Sequence, residues 1–130
     1  MIGLHIHTDG SELDGSCEVN SLIAKTKLQG ERAVAITDHG TCLKHYEFYK
    51  VATANGIKPI LGCEFYCGEE DSKEYFHLIV LAKDNTGLKN MYNLMYLAHK
   101  SFYRKPRVRY CDLEKHKEGL IVLSACLGSE

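Results

Sequence analysis

Three short apolar stretches in the first half of this chain each end on a side chain that can bind a metal ion. Leu4-His5-Ile6-His7 carries two imidazoles, Ala33-Val34-Ala35-Ile36-Thr37 stops at Asp38-His39-Gly40, and Lys58-Pro59-Ile60-Leu61-Gly62-Cys63 runs into Glu64. Helical patterns separate them. Strand, helix, strand, helix, strand is the order of a parallel sheet with right-handed crossovers, closed as a barrel or left open. In such α/β folds, active sites gather at the C-terminal ends of the strands. His5, His7, His39 and Glu64 are therefore expected on one rim.

The first stretch is read as a strand. Ile2, Leu4 and Ile6 alternate with Gly3, His5 and His7. A period of two sends both histidines to one face and the three aliphatics to the other. Two adjacent imidazoles are costly to bury unless something binds them, and a divalent metal is the usual solution. A polar strand facing water is the alternative, and His-x-His alone does not separate the two. Asp9 to Ser16 is rich in turn formers, and Ser16 or Asp14 can cap a helix over about Glu18–Gln29, with Val19, Leu22, Ile23, Ala24 and Leu28 near helical spacing. A second helix, about Cys42–Asn55, ends at Asn55-Gly56.

The polar turn at 68–73 and the apolar run Tyr75–Lys83 suggest a hairpin. Pairing residue 66 with 75 sets Glu64 opposite His77, whereas a slip of one would turn His77 away. Asp84-Asn85-Thr86-Gly87 starts a third helix, about Leu88–Lys100, whose Leu88, Met91, Tyr92, Met95 and Leu97 are core residues. Phe102-Tyr103-Arg104-Lys105-Pro106-Arg107-Val108-Arg109 interleaves cations with aromatics. It reads as a solvated loop or a phosphate-binding one. A short helix near Asp112–His116 leads to a last strand, Leu120–Leu123, with Ser124-Ala125-Cys126-Leu127-Gly128 past its end at the same rim. His45, His99 and His116 are read as surface residues.

The 130 residues suit one domain with a real core. No apolar run is long enough to span a bilayer, and no signal peptide is visible. The formal net charge is −1, so bulk charge cannot grip nucleic acid. Any such contact must be local or come from metal or a partner domain. The six cysteines are read as cytosolic thiols, placing the chain in the cytoplasm. Cys63-x3-Cys67 lacks a second pair at structural-zinc spacing. Cys17, Cys42, Cys63, Cys67 and Cys111 are read as buried structural thiols.

Several stretches together carry a family pattern. They are His5-Ile6-His7-Thr8 with Leu13-Asp14-Gly15, Ala35-Ile36-Thr37-Asp38-His39-Gly40, Glu47-Phe48-Tyr49-Lys50 and Gly56 through Glu64. Further on come His77-Leu78 with Leu81-Ala82-Lys83, Phe102-Tyr103 through Lys105-Pro106-Arg107, and Glu118-Gly119-Leu120-Ile121 through Leu123-Ser124-Ala125-Cys126. In these the chain resembles the PHP (polymerase and histidinol phosphatase) domain family. Within it, the closest likeness is to the N-terminal domain of bacterial and phage replicative DNA polymerase III alpha subunits.

The resemblance implies a distorted (β/α)7 barrel, here truncated to about five strands. Residues 1–130 would be the N-terminal part of the domain, with the family's last Asp-x-His motif and the closing strands absent. It implies metal ligands at His5, His7, Asp14, His39, Glu64, His77 and Cys126. Glu64 and Asp14 would be the catalytic carboxylates, with Glu64 bridging two ions. Asp38 would hold a ligand in place or cap the turn. Cys126 stands where the phosphatase branch usually has histidine, which favours the polymerase branch. Its thiolate favours zinc over magnesium, with manganese and iron the other candidates.

The implied function is metal-dependent phosphoester hydrolysis, as a 3'-5' exonuclease proofreading module of a DNA-directed DNA polymerase. Arg104, Lys105 and Arg107 would contact phosphate or DNA. The implied partners are a single-stranded DNA 3' end and the rest of the polymerase chain or other replisome subunits, with no membrane. The alternatives are a catalytically silent scaffold module and a small-molecule phosphatase of the histidinol-phosphatase type.

Overall fold

One long strand organises the sheet. In the computed structural model, which describes residues 1–12, 14–69, 72 and 74–126, Lys58–Gly68 forms a single strand, β2. Leu13, part of the 68–73 turn, and the rim residues Leu127 and Gly128 lie outside the described residues. The other elements are α1 (Val19–Leu28), β1 (Ala33–Ile36), α2 (His45–Ala54), β3 (Phe76–Ala82), α3 (Asn85–Lys100), β4 (Arg107–Arg109), α4 (Tyr110–Lys115) and β5 (Leu120–Ser124).

The strand order is β1-β2-β3-β5, with β4 also on β2. The lower half of β2 runs parallel to β1, from Ala33 beside Lys58 to Ile36 beside Leu61. Higher up, the same edge of β2 runs parallel to β4, with Tyr66 beside Arg107 and Gly68 beside Arg109. β3 pairs antiparallel with the other edge, and β5 pairs antiparallel with β3. The sheet is therefore mixed rather than all parallel.

Alternation along β2 and β3 divides two faces. Cys63, Phe65, Cys67 and Val80 pack with Met91, Leu94 and Ala98 of α3 and Val108 of β4. Val34 and Ile36 of β1 pack with Val19, Leu22 and Ile23 of α1 and Phe48 and Ala52 of α2. The opposite face holds a small apolar floor of Ala35, Ile79 and Leu81, joined by Ile60, Leu123 and Ala125. On that face Glu64 stands beside Ile79, and Tyr66 and His77 stand two residues further up. The site thus sits directly above an apolar floor, on the face turned away from α3.

Several expectations are corrected. The N-terminal stretch runs beside β1 but outside the ladder. Its backbone ties are Ala35 N–H to Gly3 O at 2.9 Å and Thr37 N–H to Ile6 O at 2.8 Å. Three residues of one segment span two of the other, so strict alternation fails and Leu4 is exposed. Ile6 still packs on the first core cluster. Neither Ser16 nor Asp14 caps α1, which starts after Glu18 without a side-chain cap. Asp84 does cap α3, accepting from Gly87 N–H at 2.9 Å.

The β2–β3 register differs by two from the expected pairing: Tyr66 faces His77 and Glu64 faces Ile79. A slip of two keeps every side chain on its face, so His77 still shares the face of Glu64. The 102–109 segment is not wholly loop. Val108 is buried beside Cys67, which holds Arg107–Arg109 against β2 as β4. His45 is not at the surface; it is buried at the start of α2, with Nε2 2.9 Å from Gly62 O and Nδ1 3.2 Å from Tyr92 Oη. Half-buried His116 bonds Asp112 O through Nδ1 at 2.9 Å. Of the five thiols expected to be buried, Cys63 and Cys67 are, Cys17 and Cys42 are half-buried, and Cys111 is exposed on α4. Among the described residues no helix is long and apolar enough to cross a membrane.

Candidate metal centre

Backbone pairing brings the ligand-type residues together. Beyond β1 the chain continues against β2: Glu64 N–H donates to Asp38 O at 3.1 Å, and Gly40 N–H to Glu64 O at 2.9 Å. His39 is therefore held beside Glu64. Gly40 has φ of +58°, and an added Cβ would come within 2.7 Å of Pro106, so glycine fits here on two counts. Asp38 is buried and binds the loop after His7. Its Oδ1 accepts from Thr8 N–H at 2.6 Å and Ser11 Oγ at 3.0 Å, and its Oδ2 from Thr8 Oγ1 at 2.7 Å. Ser11 Oγ in turn accepts from His39 N–H at 3.1 Å. Bonds from Ser11 N–H to Thr8 O and Gly15 N–H to Ser11 O curl the loop so that Asp14 returns over His7.

Glu64, with its side chain 1% exposed, is the centre of the cluster. Its Oε2 lies 2.6 Å from His5 Nε2 and 2.8 Å from His7 Nε2. Its Oε1 lies 2.5 Å from His77 Nδ1 and 3.6 Å from His39 Nδ1. Asp14 Oδ2 lies 2.6 Å from His7 Nδ1 and 3.0 Å from His39 Nε2. Three overlapping groups have donor atoms all within 4.8 Å of one another: His5, His7 and Glu64; His7, Asp14 and His39; and His39, Glu64 and His77.

The charge pattern follows from these contacts. Burial pushes the Glu64 carboxyl up, but the His7 hydrogen bond and the imidazoles of His39 and His5 outweigh it and bring it to about 2. The bond to Glu64 holds His7 above its ordinary value against the effect of burial, with Asp14 adding to the rise. His7 holds exposed Asp14 below its ordinary value. Burial lowers His39, and the attraction of Glu64 does not overcome it. His39 is thus biased toward the neutral imidazole that a ligand must be.

The donor set fits a divalent ion. Buried polar atoms are normally hydrogen-bonded. His39 Nδ1 is buried with no hydrogen-bond partner, and buried Glu64 Oε1 makes no well-aligned hydrogen bond although His77 Nδ1 lies 2.5 Å away. His5 Nε2 and His7 Nε2 also approach each other to 3.1 Å and form a triangle with Glu64 Oε2. A cation shared by these atoms satisfies all of them, and mixed imidazole and carboxylate donors suit zinc, manganese and iron. Of the seven ligand positions implied by the resemblance, the structure assembles six. Exposed Cys126 stands outside the three groups, with Sγ 3.5 Å from His77 Nδ1.

The family model that matches is that of the PHP domain, over residues 3–130. The chain belongs to the PHP-domain family. Its curated relatives include the DNA polymerase III subunit alpha of Aquifex aeolicus, 45% identical over 98% of this PHP chain, and that of Thermus aquaticus, 44% identical over 98%. That of Borreliella burgdorferi is 41% identical over 98%. The chain spans only 12% of the length of each of these relatives. Two solved structures share the fold. An amidohydrolase from Chromobacterium violaceum, with sulfate bound and no metal, has a TM-score of 0.55 at 22% identity, over 72% of this chain and 32% of its own. A structure described as a metal-dependent phosphoesterase from Bifidobacterium adolescentis has a TM-score of 0.54 at 22% identity, over 77% of this chain and 35% of its own.

Two tyrosine rings flank the cluster on its His39 and His77 side, and the sequence pattern alone does not single them out. Tyr66 stacks on His39 with ring centroids 5.7 Å apart, and Tyr75 stacks on His77 at 6.4 Å. The available signal was the period of two: Tyr66 follows Glu64, and Tyr75 precedes His77, on the same strand faces.

Proposed function

We propose that this chain is the PHP module of a DNA polymerase III alpha subunit and a metal-dependent phosphodiesterase that removes nucleotides from single-stranded DNA 3' ends. The observation that carries the reading is the buried Glu64 carboxylate shared among four imidazoles, one of which, His39, keeps a buried Nδ1 with no hydrogen-bond partner. The polymerase relatives support the replication context. On this reading residues 1–130 are part of one PHP domain within a longer polymerase chain.

His5, His7, Asp14, His39, Glu64 and His77 would hold the ions, with Cys126 at the edge. Zinc is the first candidate, with manganese and iron next. Divalent ions held there would supply Lewis-acid chemistry, polarising a phosphoryl group, activating water and stabilising a leaving oxygen. The chain's own residues fix the geometry. Asp14 orients the His7 ring through Nδ1, leaving Nε2 directed at Glu64. Asp38 pins the loop that carries Asp14, and the apolar floor under Glu64 keeps its carboxylate out of bulk water. Arg104, Lys105 and Arg107 would contact the phosphates of the strand.

Protein purified without chelator is expected to contain a divalent transition metal by elemental analysis. It is expected to hydrolyse bis(p-nitrophenyl) phosphate and to shorten a 3'-labelled single strand. A folded chain that neither contains nor takes up zinc, manganese or iron would remove the proposal. Metal uptake without hydrolysis would instead support the scaffold reading, and preference for a phosphomonoester the small-molecule phosphatase reading.

A second expected outcome concerns Cys126. Alkylation of this thiol should slow several-fold when zinc is added, because a coordinated or covered thiolate is a poorer nucleophile. Exposed Cys111 on α4 serves as the internal control. Equal slowing at both positions, or at neither, would take Cys126 out of the site.

A further inference from the structure

Beside the cluster lies a second assembly of aromatic rings and cations. The pairing of β4 with β2 sets Arg107 next to Tyr66 and so brings residues 103–107 to the rim. Lys105 Nζ lies 4.3 Å from the Tyr66 ring centroid and 5.5 Å from that of Tyr75. The Arg107 guanidinium lies 5.6 Å from Tyr75 and 4.9 Å from Tyr103, and that of Arg104 lies 5.6 Å from Tyr103. Together Tyr75, Tyr103, Arg104, Lys105 and Arg107 line a concavity of about 250 Å³.

The loop that builds this shelf is tightly held. Tyr103 N–H donates to Lys105 O at 3.3 Å, and the two residues form a bridge across Arg104. Arg104 has φ of +61°, the one left-handed non-glycine backbone among the described residues. Such a conformation persists where the surrounding structure demands it. Arg107 braces the loop: its guanidinium donates to Ser72 O at 3.0 Å and to Tyr103 O at 3.3 Å. Tyr103 as a residue is 50% exposed to solvent.

We infer that this shelf is a nucleotide subsite, in which Tyr103 and Tyr75 stack a nucleobase, Lys105 holds the phosphate on the side facing the metal cluster, and Arg104 adds a cation at the Tyr103 end. The inference rests on the phosphodiesterase reading above and adds the recognition element to it. Aromatic faces combined with cations are how proteins hold single strands without reading their sequence. A small phosphomonoester needs no such plane. The concavity is smaller than the roughly 300–1,000 Å³ of a typical small-molecule pocket and suits one base with its phosphate. The rings also run without a break from the shelf to the cluster, since Tyr75 and Tyr66 contact the ring of His77 and Tyr66 that of His39. A chain of net charge −1 needs a concentrated contact of this kind to hold a polyanion.

The test is fluorescence anisotropy of fluorescein-labelled single-stranded dT10 on the full 130-residue chain, with EDTA present so that no cleavage occurs. An abasic strand of the same length is the comparison. Tyr103→Ala should weaken dT10 binding about tenfold and leave abasic binding nearly unchanged, because stacking on one base is lost. Tyr103→Trp should restore it. Lys105→Ala should weaken both strands alike and lower the salt slope by about one, the mark of a lost phosphate contact. The inference falls if Tyr103→Ala binds dT10 like the parent, or if it weakens both strands equally, which would leave the shelf a purely structural stack. Failure of the parent chain to hydrolyse bis(p-nitrophenyl) phosphate with metal would count against the phosphodiesterase reading, while the anisotropy series would still decide the subsite.

Discussion

Glu64→Ala is expected to strip the rim of two of its three donor groups at once, because Glu64 belongs to the His5–His7 group and to the His39–His77 group. Its two oxygens serve different neighbours. Oε2 faces His5 and His7, while Oε1 faces His77 and His39. Residues that merely orient a ligand cost about 10- to 100-fold in metal affinity when removed, so loss of the shared carboxylate should cost at least about 100-fold. Hydrolysis of bis(p-nitrophenyl) phosphate should fall to background with it. The single-group variants His5→Ala and His77→Ala should each lower the bound-metal count by less than Glu64→Ala does. The sheet should survive the change, since β2 is held by backbone pairing on both edges and the apolar floor does not include Glu64. Calorimetric zinc titration and far-ultraviolet circular dichroism measure the two halves of the expectation. A folded Glu64→Ala chain that takes up zinc with the parent's stoichiometry and affinity would show that the carboxylate is not shared.

Much of this was legible because buried elements have few ways to be built. Ala33–Ile36 is apolar without alternation and is buried on both faces, as a parallel strand covered on both sides must be, even though it ends the ladder. Glu64 and His77 could be placed on one face despite a register misjudged by two, because only an odd slip reverses a side chain. The N-terminal segment misled for the converse reason. Ile2, Leu4 and Ile6 alternate perfectly, but an extra residue between its two bonds to β1 defeats the pattern, and nothing local announces it. His45 misled because its partners, Gly62 O and Tyr92 Oη, are remote in sequence. The 102–109 segment misled because its composition is that of a solvated loop. A single apolar residue, Val108, draws it against β2 and turns a basic run into a wall of the site.

The loop that delivers Asp14 depends on one buried carboxylate, and Asp38→Ala should unmake it. Asp38 is 2% exposed, and its carboxylate accepts three hydrogen bonds, all from Thr8 and Ser11. Alanine would leave a buried backbone N–H and two buried hydroxyls without their acceptor. Each unsatisfied buried donor costs about 1–3 kcal/mol, and partial hydration of the gap offsets some of the sum. A net loss of about 3 kcal/mol is expected, a large share of the roughly 5–15 kcal/mol that holds a domain folded. The urea midpoint should fall by about 1–3 M at the slopes usual for small domains. Asp38→Asn offers a graded control. Its amide keeps one acceptor oxygen for Thr8 N–H, and its NH2 can donate to the Thr8 hydroxyl oxygen, so it should recover part of the loss. Both variants should also weaken zinc binding, because Ser11 bonds the His39 N–H as well as Asp38, and residues 8–15 position Asp14 over His7. Metal affinity should therefore track stability across the parent, Asn and Ala chains. A parent-like urea midpoint in Asp38→Ala would show that the loop is held by something other than this carboxylate, and parent-like zinc binding in a destabilised variant would show that Asp14 is not among the groups that hold the ions.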